Sequence, residues 1–280
     1  MFPFAQDNPM PRPSRTARRS GLDPFQRDQF LDTGVVFLPG LIPRPDAEAM
    51  AERLWEALGR QHGLLRDRPE TWTKQHPAQF QALRRAGAFA AMGSDEVRAL
   101  LDGLFGEDGW TPPAHWGGPL VTFPTGKPPW SVPATTWHLD IHPGQVMDPW
   151  PDYVRLFAIL APLEPGGGGT VYVEGSHRLA MQLMAETPSR GQIRSAGITE
   201  DLKRESPWIA ALCAPGEESG RKARFMDQGA RARGIDLRVG EMTGQPGDVI
   251  LMHPAILHAP SRNARATPRL MLAETVYARR

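Results

Sequence analysis

An antiparallel β sandwich or barrel with helices on its flank is the fold class that the sequence predicts. After residue 110 the chain breaks into short apolar, β-branched and aromatic runs separated by turn residues, a spacing that suits antiparallel strands rather than βαβ units. Helical periodicity is concentrated before that point. With 40% hydrophobic and 22% charged residues in a chain of 280, an ordinary globular core is within reach, as one large domain or two small ones.

Residues 1–22 are rich in Pro, Arg and Ser and lack periodicity, so they read as a flexible N-terminal arm, with Arg12, Arg15, Arg18 and Arg19 solvated. The domain proper, 23–280, opens with DPFQRDQFLDTG, a short helix with Asp23 as N-cap, Pro24 at its first position and Gly34 as its stop. VVFLPG (35–40) follows as a strand. RPDAEAMAERLWEALGR then sets Ala47, Met50, Ala51, Leu54 and Leu58 on one helical face. Two more helices are expected near 78–91 and 94–105, the second capped by Ser94 with Asp95 and Glu96 in its first turn. The expected strands are LVTF (120–123), TWHLDI (136–141), VRLFAIL (154–160), GTVYVEG (169–175), GDVILMH (247–253) and RLMLAETVY (269–277). The glycines from Gly166 to Gly169 lack the Lys-Ser/Thr and the helix of a phosphate loop, and read as a tight turn.

Between about 179 and 245 the pattern is irregular, with Pro188, Pro207, Pro215 and a charged run from Glu217 to Arg238. Plain loops of that length are rare in compact domains, so an insertion with short helices of its own is expected. Its basic residues Arg221, Lys222, Arg224, Arg231, Arg233 and Arg238 are only partly offset by Glu217, Glu218, Asp227 and Asp236. As a lid, this segment would favour a small-molecule substrate with an anionic group.

A formal net charge of +1 gives no global field for nucleic acid. Cys213 is the only cysteine, which excludes an intrachain disulfide and a thiolate-built metal site within one chain. No apolar run is long enough for a signal peptide or a membrane helix, so no membrane partner is expected and the expected compartment is the cytoplasm.

The chemistry concentrates in His138-Leu139-Asp140. On a strand, His138 and Asp140 point to one face and Leu139 to the other. Two His and one carboxylate, with open positions left for O₂ and a co-substrate, suit a non-haem Fe(II) oxygenase. The second His is open on this reading. His142, His177, His253 and His258 lie downstream and His115 upstream, and Pro254 interrupts the alternation that would choose between His253 and His258. His177, in the turn EGSHR, reads as a surface hydrogen-bonding residue. Trp137 is expected to pack behind His138, and Trp110, Trp116, Trp130 and Trp150 to be mostly core.

Four segments in order, FLDTGVVFLPGLIPRPDAEAMAERL, TTWHLDIHPG, GGGGTVYVEGSHR and QPGDVILMHPAILHAPSRNARATPRLML, resemble the phytanoyl-CoA dioxygenase family of Fe(II)- and 2-oxoglutarate-dependent oxygenases. The resemblance runs over roughly residues 23–280, without much of 179–245. It implies a double-stranded β-helix, a cupin-like jelly roll. It also implies His138, Asp140 and His258 as iron ligands, with His142 and His253 outside the ligand set. The family's arginine for the distal carboxylate of 2-oxoglutarate falls on Arg269, eleven residues after His258. Pro260 stands where several members carry a hydroxyl residue, which leaves the neighbouring Ser261 as the candidate aid at the co-substrate, and Asn263 matches the family's Asn. The implied reaction is hydroxylation of a small molecule with Fe(II), 2-oxoglutarate and O₂, releasing succinate and CO₂. The alternatives are a cupin-like metal enzyme that does not use 2-oxoglutarate and a non-catalytic binding protein on the same fold. Halogenation is disfavoured because Asp140 occupies the position where a halide would need a small residue.

Overall fold

The computed structural model describes residues 21–279 apart from 127–128, 143–146, 148–149, 187–194 and 217. Of the expected arm, residues 1–20 lie outside the described residues. Helix α1 (Pro24–Thr33) starts on a capping box in which Asp23 accepts from the Gln26 amide and Gln26 accepts from that of Asp23. It stops where Gly34 takes a left-handed conformation, φ 81°. Strand β1 (Val35–Leu38) and helix α2 (Arg44–His62) follow as expected, with Ala47, Met50, Ala51, Leu54 and Leu58 buried. Over 78–91 only α3 (Gln81–Arg85) forms before Gly87, at φ 76°, turns the chain into a 3₁₀ turn (Ala90–Gly93). Helix α4 (Asp95–Phe105) is capped by Ser94, whose hydroxyl accepts from the Val97 amide.

Among the described residues nine more strands complete the β part: β2 (Trp110–Thr111), β3 (Gly118–Thr122), β4 (Tyr153–Ile159), β5 (Val171–Glu174), β6 (Ala230–Ala232), β7 (Ile235–Glu241), β8 (Val249–Met252), β9 (His258–Ala259) and β10 (Arg269–Ala278). They form two antiparallel sheets, one ordered β1-β8-β4-β10-β2 with β3 also on β10, the other β6-β7-β5-β9. Phe157, Ile159, Ile250, Met252 and Met271 of the first sheet meet Tyr172 of the second in an apolar interior. The alternate residues Leu156, Ala158, Val249, Leu251, Leu270 and Leu272 bury outward against α2 and α4. Burial on both faces is why these strands read as unbroken apolar runs rather than as alternating ones. The outer face of the second sheet packs on α5 (Ser176–Ala185), α6 (Ser195–Glu205) and α7 (Pro207–Leu212).

Two expectations change. TWHLDI is not a strand: Thr136 takes φ 66°, and the segment makes one β-bridge, His138 to His258. The irregular stretch 179–245 does carry helices and a π-helical turn (Ala223–Gln228), but its last part belongs to the sheet, where β7 pairs with β5 from Val171↔Glu241 to Glu174↔Arg238.

Candidate metal centre

His258 opens β9 opposite Tyr172 of β5, and on its other side it meets His138. The two histidines exchange backbone hydrogen bonds, each amide donating to the other's carbonyl at 2.9 Å. Two residues later the Asp140 amide donates to Pro254 O at 3.1 Å, which fixes the carboxylate beside both rings. His138 Nε2 lies 3.8 Å from Asp140 Oδ1, and His258 Nε2 lies 3.5 Å from Asp140 Oδ2. The three potential ligand atoms all fall within 4.8 Å of one another, close enough to hold one metal ion.

The outer ring nitrogens are also committed. His138 Nδ1 is 2.8 Å from Thr136 O and His258 Nδ1 is 3.1 Å from Ile256 O. A ring nitrogen that faces a carbonyl carries the proton, so each Nε2 keeps its lone pair for a metal. Burial pushes His258 down to about 4 against the opposing pull of Asp140, and the ring is neutral at pH 7. Two imidazoles and one carboxylate are a donor set suited to Fe(II) with positions to spare. The His138 side chain is 48% exposed and that of His258 only 5%, so solvent reaches the group from the His138 side.

Arg155, absent from the sequence reading, completes the surroundings of Asp140. Its Nε sits 3.0 Å from Asp140 Oδ2, although the N–H is not aligned on that oxygen, and its Nη1 donates to Thr275 Oγ1 at 2.6 Å. It lies on the inward face of β4, two residues from Phe157, in a run (DYVRLF) whose only charged strand residue it is. That lone charge in an apolar strand was the available signal.

Arg269 begins β10 and is buried. Its Nη1 donates to Gly168 O at 2.6 Å, and its Nε has no hydrogen-bond partner among the described residues. Burial lowers the guanidinium to about 10, so it remains charged at neutral pH. Ser261 is also buried, but its hydroxyl donates to Gly169 O at 2.7 Å, so in this arrangement the proton secures the glycine turn. Asn263 ties the same corner together, donating to Thr122 O and Thr267 O and accepting from the Arg265 amide.

The remaining histidines stay outside the group. His253 is buried, accepts from the Ala255 amide at Nδ1 and is held well below its usual range by burial. His177, expected at the surface, is buried at the start of α5, where Nε2 meets Leu31 O at 3.1 Å and the ring packs 4.9 Å from that of His253. His142 Nδ1 pairs with the Tyr277 hydroxyl at 3.0 Å. His115 joins no cluster among the described residues. Trp137 packs in the core with Leu139 and Ile141, its indole N–H on Pro133 O.

No protein-family model and no curated protein matches the sequence. Solved structures do match the fold. HygX from Streptomyces hygroscopicus, with nickel and 2-oxoglutarate bound, aligns at TM-score 0.52 and 17% identity, over 92% of this chain and 87% of HygX. SnoK, a non-haem α-ketoglutarate-dependent carbocyclase of nogalamycin biosynthesis, aligns at 0.52 and 16%, over 94% and 86%. EctD from S. alaskensis aligns at 0.51 and 17%, over 95% and 80%. The chain shares the fold of these three proteins. It is the jelly roll implied by the resemblance, with two open sheets rather than a closed barrel.

Within this fold the basic residues of the expected lid are mostly engaged elsewhere. Arg221 is buried and donates to Val132 O, Pro133 O and Leu212 O. Arg233 pairs with Glu186 and Glu205, and Arg238 pairs with Glu174. Arg231 sits 3.6 Å from Asp236, and Arg224 stacks over Phe225 at 5.1 Å. Glu217 lies outside the described residues. These contacts tie five of the run's six basic residues to neighbouring groups.

Proposed function

We infer that this protein is a non-haem Fe(II)- and 2-oxoglutarate-dependent dioxygenase that hydroxylates a small molecule. The observation that carries this reading is Arg269, a buried cation with one carbonyl partner and no carboxylate among the described residues, on a fold whose first sheet also brings Arg155 against Asp140. A buried charge left without a counter-ion is costly, and a dicarboxylate co-substrate would supply the missing anion in the planar, two-pronged geometry that a guanidinium favours. Along β10 the residues Arg269, Met271, Ala273 and Thr275 alternate onto one face, and Thr275 in turn holds Arg155 beside Asp140. One strand thus links the candidate anion site to the candidate metal group.

His138, Asp140 and His258 would hold the iron, with Thr136 O and Ile256 O setting the two rings. Arg269 would take the distal carboxylate of 2-oxoglutarate, away from water. When bound, iron, 2-oxoglutarate and O₂ supply oxidative decarboxylation of the co-substrate to succinate and CO₂, coupled to oxygenation of a substrate C–H bond. Among the described residues no helix is long and apolar enough to cross a membrane. The test is anaerobic titration of Fe(II)-loaded protein with 2-oxoglutarate, followed by its visible charge-transfer band, and then succinate measurement after O₂ is admitted. A saturable band and succinate are expected. Iron binding with neither would leave a metal enzyme or binding protein that does not use 2-oxoglutarate.

A further inference from the structure

The glycine turn 166–169 has a second side. Its inner carbonyls receive Arg269 and Ser261, at Gly168 O and Gly169 O. Its outer amide, Gly166 N, donates to both oxygens of Glu241 at 2.9 and 3.1 Å, and the Gly169 amide faces the same carboxylate. The turn has little room to move otherwise. A Cβ at Gly169 would lie 2.0 Å from Met242 O, and Gly168, at φ 87°, sits against Asn263. Glu241 ends β7 across from Val171 and so reaches the turn from the second sheet.

We propose that Glu241 is a positioning residue for the 2-oxoglutarate subsite, acting on Arg269 and Ser261 through the glycine turn. This rests on the co-substrate reading above. The carboxylate holds the turn in the register at which Gly168 O meets the guanidinium, so the direction of Arg269 depends on a residue that never touches the ligand.

The charge on Glu241 makes this brace sensitive to pH. Burial raises its carboxyl to about 7, against the lowering pull of the Gly166 and Gly169 amides and of Arg265 and Lys222. Among the described residues the charged groups acting on it are those two cations, and Arg265 itself lies 3.9 Å from Glu164. A cleft lined by Trp130, Lys222, Met226 and Arg265 opens onto the carboxylate, so protons have access to it. Above about pH 7 Glu241 is an anion accepting from the turn, and below it one oxygen is protonated and the grip weakens. Affinity for 2-oxoglutarate therefore falls as pH drops through that value. Arg269 stays charged and His258 neutral throughout pH 6–8, so neither produces the same profile.

Stability has the opposite sign. A carboxyl whose folded pKa lies above its unfolded value of 4.5 binds more protons when folded, so its contribution declines as pH rises from 4.5 to about 7. Glu241→Gln is thus expected to melt no lower than the wild type at pH 8, which separates a local effect from misfolding.

The experiment is calorimetric titration of Ni(II)-loaded protein with 2-oxoglutarate at pH 6, 7 and 8, with metal content checked at each pH. The wild type is expected to weaken about five- to tenfold from pH 8 to 6, on the net scale of one ordinary hydrogen bond. Glu241→Gln is expected to bind weakly at all three pH values with a flat profile. Glu241→Asp, shorter but still charged, is expected to bind more weakly than the wild type and to keep the slope. A wild-type profile that is flat, or a slope that survives in Glu241→Gln, overturns the role of Glu241 while leaving the co-substrate reading in place. A wild type that binds no 2-oxoglutarate at any pH removes both.

Discussion

Two buried arginines behave in opposite ways. Arg221 lies in the segment between α7 and the π-helical turn, gives its N–H groups to three carbonyls and stacks over Phe225 at 4.8 Å. Arg269, equally buried, has one carbonyl and an Nε with no partner among the described residues. Burial alone does not distinguish a fastener from a binding group. The count of satisfied donors separates these two, and the shortfall at Arg269 is what supports its proposed role at the co-substrate. Two buried histidines repeat the contrast. His253 spends its ring on the Ala255 amide, whereas His258 keeps Nε2 turned toward Asp140.

Substitution can break these contrasts, and the largest effect is expected at the histidines. Asp140→Ala and His258→Ala should abolish stoichiometric Fe(II) binding, because two remaining ligands hold iron poorly. His253→Ala, though equally buried, should keep it. Metal analysis after gel filtration decides the matter, and iron retained in His258→Ala but lost in His253→Ala would reverse the assignment. Next is Arg269→Ala, expected to weaken 2-oxoglutarate by about 30- to 1000-fold, the equivalent of about 2–4 kcal/mol for a buried charge-assisted pair. Arg269→Lys should recover part of that, since an ammonium lacks the planar fork. Unchanged affinity in Arg269→Ala would remove it from the co-substrate site. The smallest effect on binding is expected from Arg221→Ala, which instead strands three carbonyls and should cost about 2–4 kcal/mol of stability by urea unfolding. If Arg221→Ala unfolds like the wild type but binds 2-oxoglutarate much more weakly, the two arginines have been assigned the wrong way round.

Local signals in the sequence carried most of the fold. Asp23, Ser94 and Gly34 mark helix ends through their own side chains or backbone freedom, and each does so in the structure. The strands of the first sheet other than β2 were legible as apolar runs, β4 and β8 because they are apolar on both faces. What escaped depended on partners distant in sequence. TWHLDI alternates like a strand, yet its hydrogen bonds go to His258 and Pro254 rather than to a ladder. In IDLRV the buried Ile235, Leu237 and Val239 alternate as a strand should, but Asp236 and Arg238 between them made the stretch look like part of a charge run. His177 is a similar case, since nothing near EGSHR shows that Leu31, 146 residues away, accepts its proton. At the candidate site, the His-x-Asp pair was visible from the residues, whereas His258 and Arg269 came from resemblance, and Arg155 and Glu241 required coordinates. The latter two act through Asp140 and the glycine turn, contacts that no spacing rule encodes.

The reciprocal amide–carbonyl pair between His138 and His258 closes a small covalent-plus-hydrogen-bonded ring at the base of the two imidazoles. The backbone spacing beneath the rings, which lie 4.2 Å apart centroid to centroid, is therefore set by peptide geometry before any cation arrives. Loading and unloading the ion should then leave the backbone clock of this corner almost unchanged. In hydrogen–deuterium exchange, the His138 and His258 amides are expected to be slow in apoprotein and holoprotein alike, their rates differing by less than about tenfold. As the proposed metal centre, this corner would be a socket rather than an unfolded loop, able to exchange one divalent ion for another without first coming undone.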